Sequence, residues 1–184
     1  MGKSMMDGDI LKVLFSEEEI RARVEELGQA LYERFEGKNP LFLGVLKGSF
    51  VFMADLMRQI TIPCQIDFMA VSSYSSGVKT SGVVKIMKDL DVPLEGRDLI
   101  IVEDILDSGK TLHYLKGMLG ERHPNSIRIA ALLDKPDRRE APVKADYVGF
   151  VVPDQFIVGY GLDYAEKYRN LPYIGILKPE IYEK

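Results

Sequence analysis

Leu99 to Thr111 reads LIIVEDILDSGKT. Leu99–Val102 is a continuous apolar, largely β-branched run, the mark of a strand buried on both faces. Two acids, Glu103 and Asp104, follow at once. Ile105 and Leu106 come next, and then Asp107-Ser108-Gly109-Lys110-Thr111 opens a helix expected over about Lys110 to Gly120. Each part has a physical use. A buried strand fixes the turn rigidly. Gly109 permits positive φ, so backbone N–H groups can converge. Ser108 and Thr111 add hydroxyls, and the helix N-terminus behind them favours an anion. The two acids would repel a bare polyphosphate. They suit sugar hydroxyls, or a Mg²⁺ that phosphates also bind. The stretch therefore points to a ribose-phosphate ligand.

Two look-alikes fail. Gly109-Lys110-Thr111 resembles the end of a P-loop, but the first glycine of that motif falls at Asp104. Gly159-Tyr160-Gly161 starts a dinucleotide fingerprint, but its third glycine falls at Tyr164.

Outward from this stretch, apolar runs and helical patterns alternate. Ser16-Glu17-Glu18-Glu19 reads as a capping box. Ile20, Val24, Leu27, Leu31 and Phe35 then recur at helical spacing up to Gly37, giving a helix over Glu17–Glu36. Leu41–Leu46 reads as a strand, Phe50–Gln59 as a helix and Ile66–Val71 as a strand. Ser72–Gly82 (SSYSSGVKTSG) reads as a mobile loop. Strands are expected again at Val83–Met87, Ile127–Leu133, Tyr147–Val152 and Phe156–Val158. Alternation of this kind predicts an α/β fold with a mainly parallel sheet, which puts ligands at the carboxyl ends of its strands.

The chain has 184 residues, suited to one domain, with 46% hydrophobic and 28% charged residues. That composition excludes a disordered chain, a collagen-like repeat and a long coiled coil. A formal charge of −4 gives no basic excess for non-specific nucleic-acid binding. One cysteine, Cys64, and two histidines, His113 and His123, fit a reducing, cytoplasmic setting. No apolar run approaches a bilayer span of roughly 20 residues. Met1–Asp9 lacks an apolar segment and reads as a loose terminus, not a signal peptide.

LIIVEDILDSGKT resembles the phosphoribosyl-pyrophosphate motif of the type I phosphoribosyltransferases. VLKGSF at Val45–Phe50, the SSY loop start, DKPDRR at Asp134–Arg139 and the long block from Pro153 to Leu177 resemble, in the same order, the bacterial hypoxanthine-guanine branch of that family. The resemblance implies the type I phosphoribosyltransferase fold: one domain over 1–184, with a parallel-sheet core at about 37–152. A small hood would be formed by the N-terminal segment and about 153–184.

It also implies roles, each with a plainer alternative. Glu103 and Asp104 would hold the ribose hydroxyls and metal; otherwise they are a solvated pair at a strand end. Asp107 would be the catalytic base near N7 of a purine; otherwise it is a helix N-cap. Ser108, Gly109, Lys110 and Thr111 would cradle the 5′-phosphate, in place of an ordinary turn. Lys47 and Gly48 would bind pyrophosphate, with a cis peptide at Leu46–Lys47. Ser73 and Tyr74 would belong to a loop that closes over the site. Lys135 would donate to O6 of the base; alone it reads as a surface lysine. Phe156 would stack on the base and the Ile157 backbone read its edge, where a core aromatic is the commoner fate. Asp163 would join a second Mg²⁺ site, and Arg169 would reach the pyrophosphate. Gln155 stands where many relatives carry a basic residue.

The implied activity is Mg²⁺-dependent purine salvage: phosphoribosyl transfer from phosphoribosyl pyrophosphate to N9 of hypoxanthine or guanine, giving IMP or GMP and pyrophosphate. A homodimer or homotetramer is implied as well. The alternatives are a xanthine-preferring enzyme, an RNA-binding regulator on the same fold, and a P-loop-like kinase.

Overall fold

A computed structural model describes residues 5–73 and 84–183. The strands are β1 (Ile10–Phe15), β2 (Leu41–Leu46), β3 (Gln65–Ser73), β4 (Val84–Lys88), β5 (Asp98–Leu106), β6 (Ser126–Asp134), β7 (Tyr147–Val151), β8 (Ile157–Val158) and β9 (Ile174–Leu177). The helices are α1 (Glu17–Phe35), α2 (Phe50–Gln59), α3 (Lys110–Gly120) and the short α4 (Pro179–Tyr182). None of the described helices is long and apolar enough to cross a membrane.

The α/β architecture expected from the sequence is present. Six strands form a sheet in the order β4-β3-β2-β5-β6-β7, parallel except for β4, which runs antiparallel at one edge. Chain order reverses between β2 and β5, and such a switch opens a crevice at the carboxyl ends of the two strands. β5 is buried on both faces, as its composition predicts. Ile100 and Val102 meet the α1 and α2 side, packed with Ile20, Val24, Phe52 and Leu56. Leu99 and Ile101 meet Leu112, Leu115 and Leu119 of α3 on the other. Each such side chain contributes about 1.5–3 kcal/mol by leaving water. The capping box of α1 is formed in both directions: Glu19 N–H donates to Ser16 Oγ at 3.2 Å and Ser16 N–H to Glu19 Oε2 at 2.8 Å.

Three expectations need correction. β5 does not stop at Val102. It continues to Leu106, because parallel pairing with β6 persists through Ile105↔Leu133 and Leu106↔Asp134. The acidic pair therefore lies within the strand. The N-terminal segment is also not loose over its described part. Asp7–Asp9 form a 3-10 turn, and Asp7 and Asp9 accept hydrogen bonds from Tyr173 (2.6 Å) and Tyr168 (2.8 Å), hydroxyls that need acceptors as they leave water. β1 and β9 pair antiparallel, and with β8 they form a second sheet, β1-β9-β8. Lastly, Ser72 and Ser73, expected in the loop 72–82, belong to β3; Tyr74 and the rest of that stretch lie outside the described residues.

Asp67 fastens β3 to the turn beyond β4. Its carboxylate accepts from Phe68 N–H and Asp91 N–H, each at 2.7 Å, and from Lys88 Nζ at 3.2 Å. Burial alone would raise its pKa; the two amides and the Lys88 ammonium outweigh that and hold it below the usual value. A lowered carboxylate pKa stabilises the fold above the ordinary carboxylate range, and this stabilisation is lost as pH falls through the folded-state value. Asp67→Ala is expected to cost about 3 kcal/mol in urea unfolding near neutral pH. The gap from the parent should narrow in acid, and an equal gap at every pH would refute the assignment.

Candidate active site

The crevice between β2 and β5 gathers Gly48, Glu103, Asp104, Asp107, Ser108, Gly109 and Thr111. On the β2 side the peptide bond Leu46–Lys47 is cis, as expected. Lys47 Nζ lies 3.1 Å from Glu166 in an exposed ion pair. Gly48 stands against the end of β5: a Cβ built on it would fall 1.7 Å from Asp104 Oδ2. From the other side Gly161, at φ +102°, is so close that its own Cβ would fall 2.2 Å from Gly48 O. At Gly161 both the positive φ and the backbone contact require glycine, while a Cβ at Gly48 would have to displace the Asp104 carboxylate. Behind them the buried Ser49 donates its hydroxyl to Val45 O at 2.6 Å, which ties the start of α2 to the end of β2.

On the β5 side Glu103 and Asp104 are half-buried in the wall of the crevice. Burial, reinforced by the Asp104 charge, holds the Glu103 carboxyl well above its usual pKa. Burial pushes Asp104 up to about 6, although the Ile105 amide, which donates to Asp104 Oδ1 at 2.8 Å, and the Arg169 charge act against it; Asp163 adds repulsion. Two adjacent carboxylates under this penalty are relieved by a cation or by hydroxyl donors. Among the described residues no group of three or more His, Cys, Asp or Glu is arranged to hold a metal. Mg²⁺ does not require one, because it commonly takes one or two carboxylates and completes its shell with water and substrate phosphates. The donor set of Glu103 and Asp104 fits that ion.

The turn after β5 holds Gly109 at φ +78° as the N-cap of α3, so Asp107 is not that cap. The first helical bond runs from His113 N–H to Gly109 O at 2.8 Å, so the amides of 110–112 precede the helical ladder. Ser108 Oγ accepts weakly from Lys110 N–H at 3.4 Å, and Lys110 pairs with Glu140. Ser108, Gly109 and Thr111 line a cleft of about 230 Å³ together with Gly48, Glu103 and Asp104.

A second cleft of about 390 Å³ is lined by Lys135, Phe156 and Ile157 among others. Ile105 and Asp107 border both clefts. The Asp107 Oδ1 atom is buried with no hydrogen-bond partner, and Arg138 Nε lies 3.3 Å away. Lys135 is not a surface lysine. It is 6% exposed, donates from Nζ to Gln155 O at 2.7 Å, and through its own N–H binds Leu106 O at 3.0 Å. Burial lowers its pKa, opposed by the charges of Asp107 and Asp154. Phe156 is partly buried, with one ring face stacked on Tyr182. Ile157 is buried and pairs with Ile176 of β9.

Asp163 lines the second cleft, and Arg169 lies beside Asp163. Asp163 accepts from Glu166 N–H at 2.9 Å and pairs with Arg169 at 2.8 Å. Arg169 also donates to Gly161 O at 2.8 Å, and its Nε is buried without a partner. Arg169 borders neither cleft above. It lines a separate one of about 480 Å³ between α1 and α2, away from Asp107.

One residue escaped sequence reasoning. Arg139 donates from Nε to Asp107 O (3.0 Å), from Nη2 to Leu106 O (3.0 Å) and from Nη1 to Val143 O (3.1 Å), and it pairs with Asp134. Its stem packs where a Cβ on Gly109 would stand, 2.9 Å from Cδ. The fork thus holds the carbonyls of the β5 turn in place. No local pattern announces this, since the partners lie more than 30 residues away along the chain.

Comparison with known proteins bears on family and fold. Residues 13–165 match the family described as phosphoribosyl transferase domain. Over 179 residues the chain is 58% identical to the hypoxanthine-guanine phosphoribosyltransferase of Bacillus subtilis, covering 97% of this chain and 99% of that one. It is 56% identical over 183 residues to the bifunctional protein TilS/HprT of Listeria innocua, spanning all of this chain and 28% of that protein's length. A crystal structure of a hypoxanthine phosphoribosyltransferase from Staphylococcus aureus superposes with a TM-score of 0.97 at 49% identity, over 100% of both chains.

Gly48→Ala tests the close approach directly. The variant is expected to fold, with the Asp104 carboxylate driven back until its separation from the new Cβ exceeds 3.0 Å. A crystal structure with Asp104 unmoved would refute the contact.

Proposed function

Because the chain belongs to the phosphoribosyl transferase domain family, we propose that it is a purine-salvage transferase carrying the phosphoribosyl group of phosphoribosyl pyrophosphate to N9 of hypoxanthine or guanine. The observation that carries this reading is the meeting of two unlike clefts at Asp107 and Ile105. One is acidic and leads to a helix N-terminus, which suits a ribose with its phosphates. The other combines a buried ammonium with an aromatic ring, which suits a flat base bearing an oxygen.

In this reading the 5′-phosphate lies against the amides and hydroxyls of Ser108, Gly109, Lys110 and Thr111, where the α3 dipole favours an anion. The ribose 2′ and 3′ hydroxyls donate to Glu103 and Asp104, relieving their burial. Backbone groups of Lys47 and Gly48 receive the pyrophosphate, with Arg169 as a further cation beyond Asp163. Lys135 donates to O6 and disfavours adenine, whose 6-amino group is itself a donor. Phe156 stacks on the base, and the Ile157 backbone reads its edge.

Reaction then joins N9 to C1′ while the bond from C1′ to the pyrophosphate oxygen breaks. Pyrophosphate departs with that electron pair, and the proton lost from the base passes to Asp107. Asp107 is free of capping duty at α3, and its Oδ1, paired with the Arg138 guanidinium at 3.3 Å, makes no hydrogen bond, both of which favour this role. Mg²⁺, held by Glu103 and Asp104, would supply positive charge to the departing pyrophosphate, and Asp163 is the candidate carboxylate for a second ion. Positioning and charge at the leaving group supply most of the rate. The core at about 37–152, a hood from the remaining segments, a homo-oligomer and a cytoplasmic setting complete the proposal.

The test mixes the protein with phosphoribosyl pyrophosphate, Mg²⁺ and, separately, hypoxanthine, guanine, xanthine and adenine, and assays nucleotide and pyrophosphate. Turnover of hypoxanthine and guanine is expected; turnover of none, or of adenine first, would overturn the reading. Asp107→Ala is expected to lower kcat by roughly 10²- to 10⁴-fold. Lys135→Ala should lower kcat/KM for hypoxanthine by roughly 10- to 100-fold, the loss of one charged hydrogen bond, and leave the KM for phosphoribosyl pyrophosphate unchanged.

A further inference from the structure

Three aromatic rings from separate parts of the chain meet beside the cleft that contains Lys135. Phe156 stacks on Tyr182 with ring centroids 4.8 Å apart and planes 26° from parallel. Tyr164 meets Phe156 edge-on at 5.3 Å and 89°, and Tyr182 at 6.5 Å and 67°. Tyr182 and Phe156 both line the cleft that holds Asp107 and Lys135.

The backbone fixes this stack independently of the rings. Leu177 N–H donates to Phe156 O at 2.8 Å, so the end of β9 is fastened to the residue whose ring is at issue. Lys178 N–H then binds Asp9 O at 3.0 Å, and Pro179 starts the single turn of α4. That turn carries the chain back so that Tyr182 covers the ring of the same Phe156. The segment 177–182 therefore grips Phe156 twice, once by its carbonyl and once by its side chain.

A phenyl ring has two faces. One face is covered by Tyr182 and the ring meets Tyr164 edge-on, so a planar ligand stacking on Phe156 would take its other face. We propose that Tyr182 is a positioning residue for the base: it holds the Phe156 ring in the attitude that a purine stacks on, and so sets affinity for the base without touching the phosphoribosyl half of the site. This rests on the purine-transfer reading above. Aromatic pairing contributes beyond the area buried, so its loss should weaken base binding by a modest, measurable factor.

The experiment compares steady-state kinetics of the full-length protein with Tyr182→Ala, Tyr182→Leu and Tyr182→Phe. Tyr182→Ala is expected to raise the KM for hypoxanthine roughly three- to tenfold, with kcat and the KM for phosphoribosyl pyrophosphate within twofold of the parent. Tyr182→Phe, which keeps the stacked ring, should restore the parent KM. Tyr182→Leu, which keeps apolar bulk without a ring, should not. An unchanged KM for hypoxanthine in Tyr182→Ala would overturn the proposal. So would equal changes in both KM values, or rescue by leucine as complete as by phenylalanine. If the parent protein turns over no purine at all, it is the purine-transfer reading that fails; an active parent with a silent Tyr182→Ala defeats only the role of Tyr182.

Discussion

Two carboxyls that burial makes reluctant to ionise, Glu103 and Asp104, sit side by side near the end of β5, and the surrounding structure answers to that constraint. A strand with a polar end exposed to water would carry no such penalty. Here β5 is the central strand, flanked by β2 and β6, with helices on both faces of the sheet. The hydrophobic burial of Leu99 to Val102 holds the acids where water cannot fully solvate them. Gly48 then stands so close to the Asp104 carboxylate that any larger residue would have to displace it. A ligand that brings hydroxyls or a cation into this crevice removes a cost already present in the free protein, which strengthens its binding relative to the same contacts made in water.

The same economy of position explains how distant segments reach one centre. Arg139, from the connection after β6, holds three carbonyls and a carboxylate, two of the carbonyls belonging to the β5 turn. Lys135, four residues earlier, is joined to that turn by its own N–H and to Gln155 by its ammonium. A shift of the phosphate-side turn therefore displaces the residues on the base side. Rigid coupling of this kind suits a reaction between two bound partners, where misplacement by a fraction of an ångström costs rate.

What was legible in the sequence was what local physics decides. Leu41–Leu46, Phe50–Gln59 and Lys110–Gly120 have the bounds expected from apolar pattern and glycine placement. The extension of β5 through Glu103 and Asp104 was not legible, because acids are depleted in strands and read as a strand end. It exists because parallel pairing with β6 continues to Asp134. The pairing of β1 with β9 joins residues more than 150 positions apart, and the burial along β1 does not alternate cleanly, so no local period marks it. At the site, the acidic pair and the glycine turn were visible as a pattern. The burial of Lys135, the release of Asp107 from capping and the reach of Arg139 depend on the folded path of the chain.

Asp107 shows why both kinds of reading are needed. As a residue before Ser-Gly at a helix start, it has an ordinary explanation as a cap. The structure gives that duty to Gly109, in a left-handed conformation, and leaves an Asp107 oxygen buried without a hydrogen bond on the border of two clefts. The Arg138 guanidinium, with Nε 3.3 Å away, balances the charge of that oxygen without hydrogen-bonding it. A group that accepts a proton from a ligand in one cleft, as bonding changes in the other, needs such an oxygen at that border.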